Sequence, residues 1–358
     1  MEIDVTDEKR RAPGRVRLMQ IAVLLPALVI LAGCSTSTID ENRLAPRDTG
    51  SLIWPNPPEA ARISYLSTVR KAKDVGADTG FLAKLAYYVL GKKKDDGIYK
   101  PYGVTADSAG RIIVADTALK RVHVFDPRKK KYFYIDEAGD SEFSSPIAVA
   151  IGADDEMYVT DSILGKVFVF DRDGDFKYGF AAGRRPTGIA VDRTRKLIYV
   201  SDTVAQNVKV YDLKGGLLRT IGRRGTGPGE FNYPVDLFVD RNGELYVIDS
   251  MNYRVEMFDD TGKFVAKFGK QGDGTGNFGR PKGVAVDRDG HIYVADALFD
   301  TVQIFDREGR FLLNFGSIGT EAGMFWMPCG LFIDSGDNIY VSDSYNGRVQ
   351  VFEYLGNG

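Results

Sequence analysis

Along most of the chain, apolar and polar residues alternate in short runs rich in Val, Ile, Tyr and Phe, separated by turn signals such as Asp-Gly and Glu-Gly. Alternation with a period of two predicts β-strands, and the breaks predict tight turns between them. From Pro281 onward the runs "GVAV", "HIYVA", "TVQIF" and "RFLLNF" predict four strands in succession. The same order recurs in copies that open on Pro-x-Gly or a near variant, with prolines at 101, 146, 186, 234, 281 and 328. The intervals are 45, 40, 48, 47 and 47 residues. Periods of this size predict a propeller or a solenoid, and four strands per repeat make one propeller blade. The expected fold class is all-β, a six-bladed β-propeller of four-stranded antiparallel blades.

Counting strands makes a further demand. After "RVQVFE" only Tyr354 to Gly358 follows, so blade six lacks its fourth strand. The run "RISYLSTVR", residues 62–70, precedes the first repeat and belongs to no blade. It is expected to add as the outer strand of blade six, so that the ring is closed by an N-terminal strand and the propeller domain covers 62–358. Closure of this kind removes an exposed sheet edge. Residues 78–94, within "TGFLAKLAYYVLGKKK", place Phe81, Leu82, Leu85, Tyr88 and Val89 at helical spacing, and Gly91 ends the pattern. An amphipathic helix of this kind packs on the propeller or lies on a membrane surface, and packing on the propeller is the expectation.

Each repeat also carries two aspartates ten residues apart. Asp116 precedes Asp126, and the same interval separates Asp161 from Asp171, Asp202 from Asp212, Asp249 from Asp259, and Asp296 from Asp306; in the last copy Asp343 precedes Glu353. A constellation used once for chemistry would not appear in every copy. Five residues of strand at about 3.3 Å each separate the two carboxylates by roughly 16 Å, beyond the roughly 5–9.5 Å of paired glycosidase carboxylates. The expected role is the capping of turns through backbone amides.

Segments such as "YVADALFDTVQIFD" and "YVSDSYNGRVQVF" resemble NHL repeats, which build six-bladed propellers. The resemblance covers Pro101 to Glu353, and the overall plan is similar to that of bacterial six-bladed propeller lipoproteins of unknown function. A WD40 reading is disfavoured because no Trp-Asp dipeptide occurs.

Composition narrows the partners. The chain of 358 residues is 44% hydrophobic and 27% charged with a formal charge of −2, which argues against a general nucleic-acid binder, since that affinity rests on a basic surface. At the amino terminus "KRRAPGRVR" precedes the 13-residue run "IAVLLPALVILAG", which ends at Cys34. That run is short of the roughly 20 residues of a transmembrane helix and fits an export signal. The sequence "LAGC" resembles a bacterial lipobox, which implies a signal peptide over 1–33, lipid attachment at Cys34 and a polar tether over 34–61. Ser35 after the cysteine resembles the pattern of outer-membrane lipoproteins. The acidic "MEIDVTDE" ahead of the basic stretch departs from a usual leader. The expected location is the bacterial cell envelope, on a lipid anchor. Cys329 is the only other cysteine, so the mature chain has no disulfide framework.

Catalytic candidates are sparse. The NHL-like lyase that cleaves hydroxyglycine intermediates uses a histidine-rich zinc site, whereas His123 and His291 are the only histidines here and fall in different blades. The Gly-rich stretches "GRRGTGPGEFNYP", "GKQGDGTGNFGRP" and "GSIGTEAGMFWMP" lead into strands rather than helices, so they are not phosphate cradles. They are expected to connect blades, with Phe231, Phe278 and Phe325 plugging the gaps. Asp236 stands where other blades have Gly103, Gly188, Gly283 and Gly330, at the start of the innermost strand. It is the one candidate for a channel site of the calcium kind that paraoxonase-like propellers hold, or for zinc, although a single carboxylate is far from the six to eight oxygens calcium takes. No cofactor is expected.

The face carrying the blade connections keeps its scaffold and varies between: "TALKR", "SILGK", "TVAQN", "SMNYR", "ALFDT", "SYNGR". Arg121, Lys166, Arg254 and Arg348 share one position in four blades, Arg185, Arg224, Arg280 and Lys282 lie in or beside the entering loops, and Tyr253, Phe299, Trp326 and Tyr345 add aromatic surface. Exposed Arg with aromatic side chains suits recognition. The expected function is non-catalytic: a monomeric propeller that binds a protein, peptide or glycan partner through this top face. The alternative is a metal-assisted lyase or hydrolase at the channel mouth around Asp236. RNA binding, known for some eukaryotic NHL domains, conflicts with export and with the charge.

Overall fold

Position within a blade decides how each strand is buried. In blade four the second and third strands, Leu245–Asp249 and Arg254–Phe258, are buried along their whole length, whereas the outermost, Phe264–Phe268, alternates between half-buried and exposed. Inner strands are covered on both faces by neighbouring blades, so apolar residues stand at consecutive positions; the rim strand keeps one face in water and the period of two. The computed structural model describes residues 52–77 and 97–356. The export segment with Cys34, the tether up to residue 51 and the helix expected over 78–94 lie outside the described residues.

Six antiparallel sheets follow the repeats. Blade one runs Pro101–Ala106, Ile112–Asp116, Arg121–Asp126, Lys131–Ile135, and blades two to five repeat that order from Pro146, Pro186, Pro234 and Pro281. Blade six takes Pro328–Ile333, Asn338–Asp343 and Arg348–Tyr354, and its fourth strand is Ile63–Val69, antiparallel to the third, with Ile63 opposite Tyr354 and Val69 opposite Val349. The strand count thus located the closure. Blade six then gains a fifth strand, Ile53–Trp54, on its outer edge. The polar tether therefore ends earlier than residue 61. Trp54 anchors the extra strand, its ring 5.9 Å from Phe315 and 5.8 Å from Phe352, where an aromatic side chain buries more surface than a solvated tether would. A short hairpin, Glu137–Ala138 with Ser141–Glu142, also interrupts the passage from blade one to blade two.

The core lies between blades. Among the described residues, six apolar clusters each draw on two adjacent blades, and the closing strand serves two of them: Ile63 joins the cluster of blades five and six, Val69 that of blades six and one. Phe231, Phe278 and Phe325 are fully buried wedges at three of these junctions, and Phe143, three residues before Pro146, fills the same role between blades one and two. On the axis the first strands meet closely. A Cβ on Gly103 would lie 2.6 Å from the Ala148 Cα, and one on Gly188 would lie 2.7 Å from the Asp236 Cα. Small residues are needed there because backbone meets backbone.

Replacing Ile63 with Ala should lower the unfolding free energy by about 2–5 kcal/mol, the cost of a cavity at a fully buried aliphatic. Denaturant unfolding with an unchanged midpoint would mean that this strand does not close the ring.

Candidate functional site

The top face is the edge where first strands begin, second strands end and third strands start. A carboxylate organises it in every blade. In blade five, Asp296 accepts the backbone N–H groups of Gly279 (2.7 Å), Arg280 (2.8 Å) and Leu298 (3.0 Å). The first two belong to the loop entering the blade and the third to the turn after Asp296, so one side chain fixes both. Asp116 does the same for Tyr99, Lys100, Ala118 and Leu119, and Asp161 for Ser144, Ser145, Ile163 and Leu164. The second aspartate of each repeat caps the turn at the opposite edge, as where Asp306 accepts the Arg310 amide at 2.8 Å.

Arg254 and Arg348 are not on the exposed face. Arg348 is 1% exposed. Its guanidinium donates to Asp343 (2.6 Å) and to the carbonyls of Thr320, Glu321 and Met324 at 2.7–2.8 Å. Arg254 repeats the arrangement with Asp249 and the carbonyls of Thr226, Gly227 and Glu230. Both are pegs that hold a Gly-rich loop to its blade, because a planar fork with five donors can satisfy a carboxylate and several carbonyls together. Three neighbours not singled out from the sequence complete this work: Glu256, Gln303 and Gln350, at one position of the third strand, accept the amides of Gly229, Gly276 and Gly323. Their shared spacing in "VEM", "VQI" and "VQV" was the available signal.

The other predicted surface residues are distributed. Arg121 lies over its own blade's Tyr134 ring at 4.2 Å, and the exposed Lys166 approaches Phe168 at 5.9 Å. Tyr253 packs half-buried against the cluster of blades four and five, and Phe299 is half-buried near Gly279. Trp326 and Tyr345 do form an exposed pair, with ring centroids 5.5 Å apart and the Lys100 amine 5.1 Å from the Tyr345 ring.

What the blades bring together is apolar. The residue two after each clamping aspartate is Ala118, Ile163, Val204, Met251, Leu298 or Tyr345, and all six are exposed. Ile163 is 69% exposed and Leu298 60%. They form a ring of solvent-facing side chains on one face, with Tyr99, Tyr233 and Ile318 exposed in the entering loops beside them.

The axis holds a cavity of about 490 Å³ lined by the first strands of all six blades and reaching the turns that follow them, at the far edge. Asp236 lies in its wall. Its carboxylate accepts the Val284 amide at 3.1 Å, which ties blade four to blade five, and burial pushes it up to about 7. Lys282, half-buried near the start of its innermost strand, is held below the usual ammonium value by burial. His123 is fully buried with its Nδ1 2.9 Å from the Tyr132 hydroxyl, and His291 bonds Asp287 at 2.8 Å. Among the described residues no three His, Cys, Asp or Glu side chains come together as a ligand set.

A family model described as 6-bladed beta-propeller matches residues 189–256 and 241–298, and the NHL repeat model matches 325–352. Over 129 residues, 34% of the chain, the sequence is 30% identical to Protein brain tumor of Drosophila melanogaster, of which the match covers 12%. Over 153 residues, 37% of the chain, it is 26% identical to Antigen Lp49 of Leptospira interrogans, of which the match covers 33%. Among solved structures, a Bacteroides thetaiotaomicron protein of unknown function aligns with TM-score 0.59 at 15% identity, covering 82% of this chain and 75% of that one. The virginiamycin B lyase of Staphylococcus aureus aligns with TM-score 0.53 at 14% identity, covering 72% and 85%. At such identities the likeness shows the fold alone.

Two predictions follow from the buried charges. Arg348→Ala should cost about 3–5 kcal/mol, because Asp343 and three carbonyls lose their partner while buried; a loss below about 1 kcal/mol in denaturant unfolding would make the peg dispensable. In blade four, Asp249 and Glu256 share the single guanidinium of Arg254, and Glu256 is pushed from 4.5 to about 7, chiefly by burial. A carboxyl raised on folding binds its proton more tightly in the folded state, so this contribution is greatest below about pH 4.5 and is lost as pH rises through about 7. Glu256→Gln, the residue type blades five and six already use, should therefore stabilise the protein above pH 7 by about 1–3 kcal/mol and flatten the decline, as thermal melts across pH would record.

Proposed function

We propose that this NHL-repeat six-bladed propeller is a non-catalytic binding module that takes a polypeptide partner on its top face, held at the bacterial envelope by a lipid on Cys34. The observation that carries the reading is the apolar ring. Monomeric proteins seldom place large aliphatic side chains together in water unless something covers them, and here one position, fixed by the same aspartate clamp, presents Ile163, Val204, Met251, Leu298 and Tyr345 in successive blades. Aliphatic side chains favour a polypeptide over a glycan, which would draw mainly on the stacking surface of Trp326 and Tyr345. Envelope location rests on the sequence: the 13-residue apolar run ending in "LAGC".

A photo-crosslinking residue placed at Leu298 in the full chain, in intact cells, should capture one defined polypeptide, and Met251→Asp should reduce that capture by about tenfold or more. Capture that is diffuse, or indifferent to Met251→Asp, would remove the top face as the binding surface. Cys34→Ser should abolish labelling of the protein by a fatty-acid analogue and release it from the membrane fraction; retention with undiminished labelling would refute the anchor.

A further inference from the structure

The residue immediately before each blade's first proline stands at the start of the innermost strand, around the axis on the top face. Around the ring these residues are Lys100, Ser145, Arg185, Tyr233, Arg280 and Met327. The three cations therefore stand in blades one, three and five, on alternate blades about the axis. Their backbones are fixed, since the amides of Lys100, Arg185 and Arg280 all donate to the clamping aspartates of their own blades. All three side chains are exposed. Lys282, two residues on in blade five and half-buried, adds a fourth positive charge.

These charges converge with no acid in an ion pair to any of them. The Tyr102 hydroxyl of blade one lies in the fields of the Asp236 carboxylate and of both Arg280 and Arg185, and the Cys329 thiol of blade six in those of Lys282, Arg280 and Lys100. Among the described residues none of the four cations makes an ion pair, while Arg254, Arg348 and Arg111 all do. Cys329 offers no counter-charge, because burial pushes its thiol up to about 11. The nearest carboxylate in the channel wall, Asp236, is engaged by the Val284 amide and carries a raised value from burial. The Asp300 carboxylate, also on this face, is buried and accepts the Met327 amide at 2.7 Å. Four like charges around one axis in a chain of net charge −2 are a local feature held in place by the scaffold, and they repel one another until an anion binds.

From this juxtaposition we infer that the centre of the top face is a carboxylate-binding site, built to take the acidic side chains of a peptide segment whose apolar residues rest on the surrounding ring. Apolar contacts at the ring alone would not select among partners, whereas an acidic segment is drawn in and registered by charges at the centre. The exposed Trp326 and Tyr345, with Lys100 over the latter ring, lie on the same face. The inference rests on the reading of the top face as the binding surface and adds the chemistry of what it binds.

The test uses the full chain in detergent and a fluorescently labelled hexaglutamate peptide, followed by anisotropy. Binding should be detectable at about 50 mM salt and weaken steadily toward about 300 mM as the charges are screened. A triple variant, Lys100→Ala with Arg185→Ala and Arg280→Ala, should lose about tenfold or more in affinity while melting as the parent does, since these side chains are exposed. Lys282→Ala should weaken binding severalfold, and a hexaserine peptide should not bind. No binding of hexaglutamate, or binding unchanged in the triple variant, overturns the inference. Tighter binding of a labelled single-stranded oligouridine to the same cations would make this centre a nucleic-acid site. Competition by inorganic phosphate at concentrations equal to the peptide would make it a small-anion site. The two readings separate cleanly: a triple variant that still yields the Leu298 crosslink to its partner sinks the acidic-segment assignment and leaves the binding face standing, whereas loss of effect at Met251 sinks the face itself.

Discussion

Six carboxylates at the ends of the second strands set the geometry on which the top face depends. Each is buried, and each uses its oxygens on backbone amides that lie about one strand-pair back in sequence: Tyr99 and Lys100 for Asp116, Gly279 and Arg280 for Asp296, Trp326 for Asp343. An amide at a loop has no ladder partner, and burying it without one would cost about 1–3 kcal/mol. The clamp satisfies these amides and in doing so fixes where the loop crosses the top of the blade. In blades four, five and six the demand is larger, because the entering loop is long and Gly-rich; Gln303 meets it in blade five. In blades four and six a guanidinium extends the clamp outward, from Asp249 through Arg254 and from Asp343 through Arg348, to carbonyls farther along the loop.

Closure is the second constraint, and it follows from where the core lies. Since each apolar cluster needs two blades, a ring with one incomplete blade would leave two clusters open to water. The segment Ile63–Val69 completes both, and Ile53–Trp54 covers the rim strand in turn, with Trp54 seated on Phe315 and Phe352. Chain connectivity through the first and last blades then stabilises the ring as a whole, which no single blade could achieve.

Repetition made the scaffold legible and concealed part of the surface. The ten-residue aspartate interval, the proline spacing and the missing strand could be read because each had several copies to compare. Arg254 and Arg348 were misread for the same reason: grouped with Arg121 and Lys166 by position, they looked like a shared exposed feature. Their burial depends on the loop in front of them. Only blades four and six pair an arginine there with a long Gly-rich loop whose carbonyls accept from it, whereas Lys166 stays in water beside Phe168 of its own blade. Ile53–Trp54 could not be read at all, because two residues carry no period. The position after each aspartate was noted as variable, yet its common character, apolar and outward, emerges only when the turns are superposed about one axis.

The division between frame and surface explains how a fold of this kind can hold recognition without strain. The aspartate that bonds to backbone at the end of the second strand is the same in every blade, so the turn that follows is anchored whatever side chain sits two places beyond it. The position before each proline varies as well, and at Lys100, Arg185 and Arg280 its amide is used by the clamp while its side chain is exposed. Six blades give six independent choices at each ring. An alternation of basic and uncharged residues, Lys100, Ser145, Arg185, Tyr233, Arg280 and Met327, is a pattern that only a closed ring turns into a convergent one. In an extended sheet these cations would lie in a row; wrapped about an axis, they surround one centre.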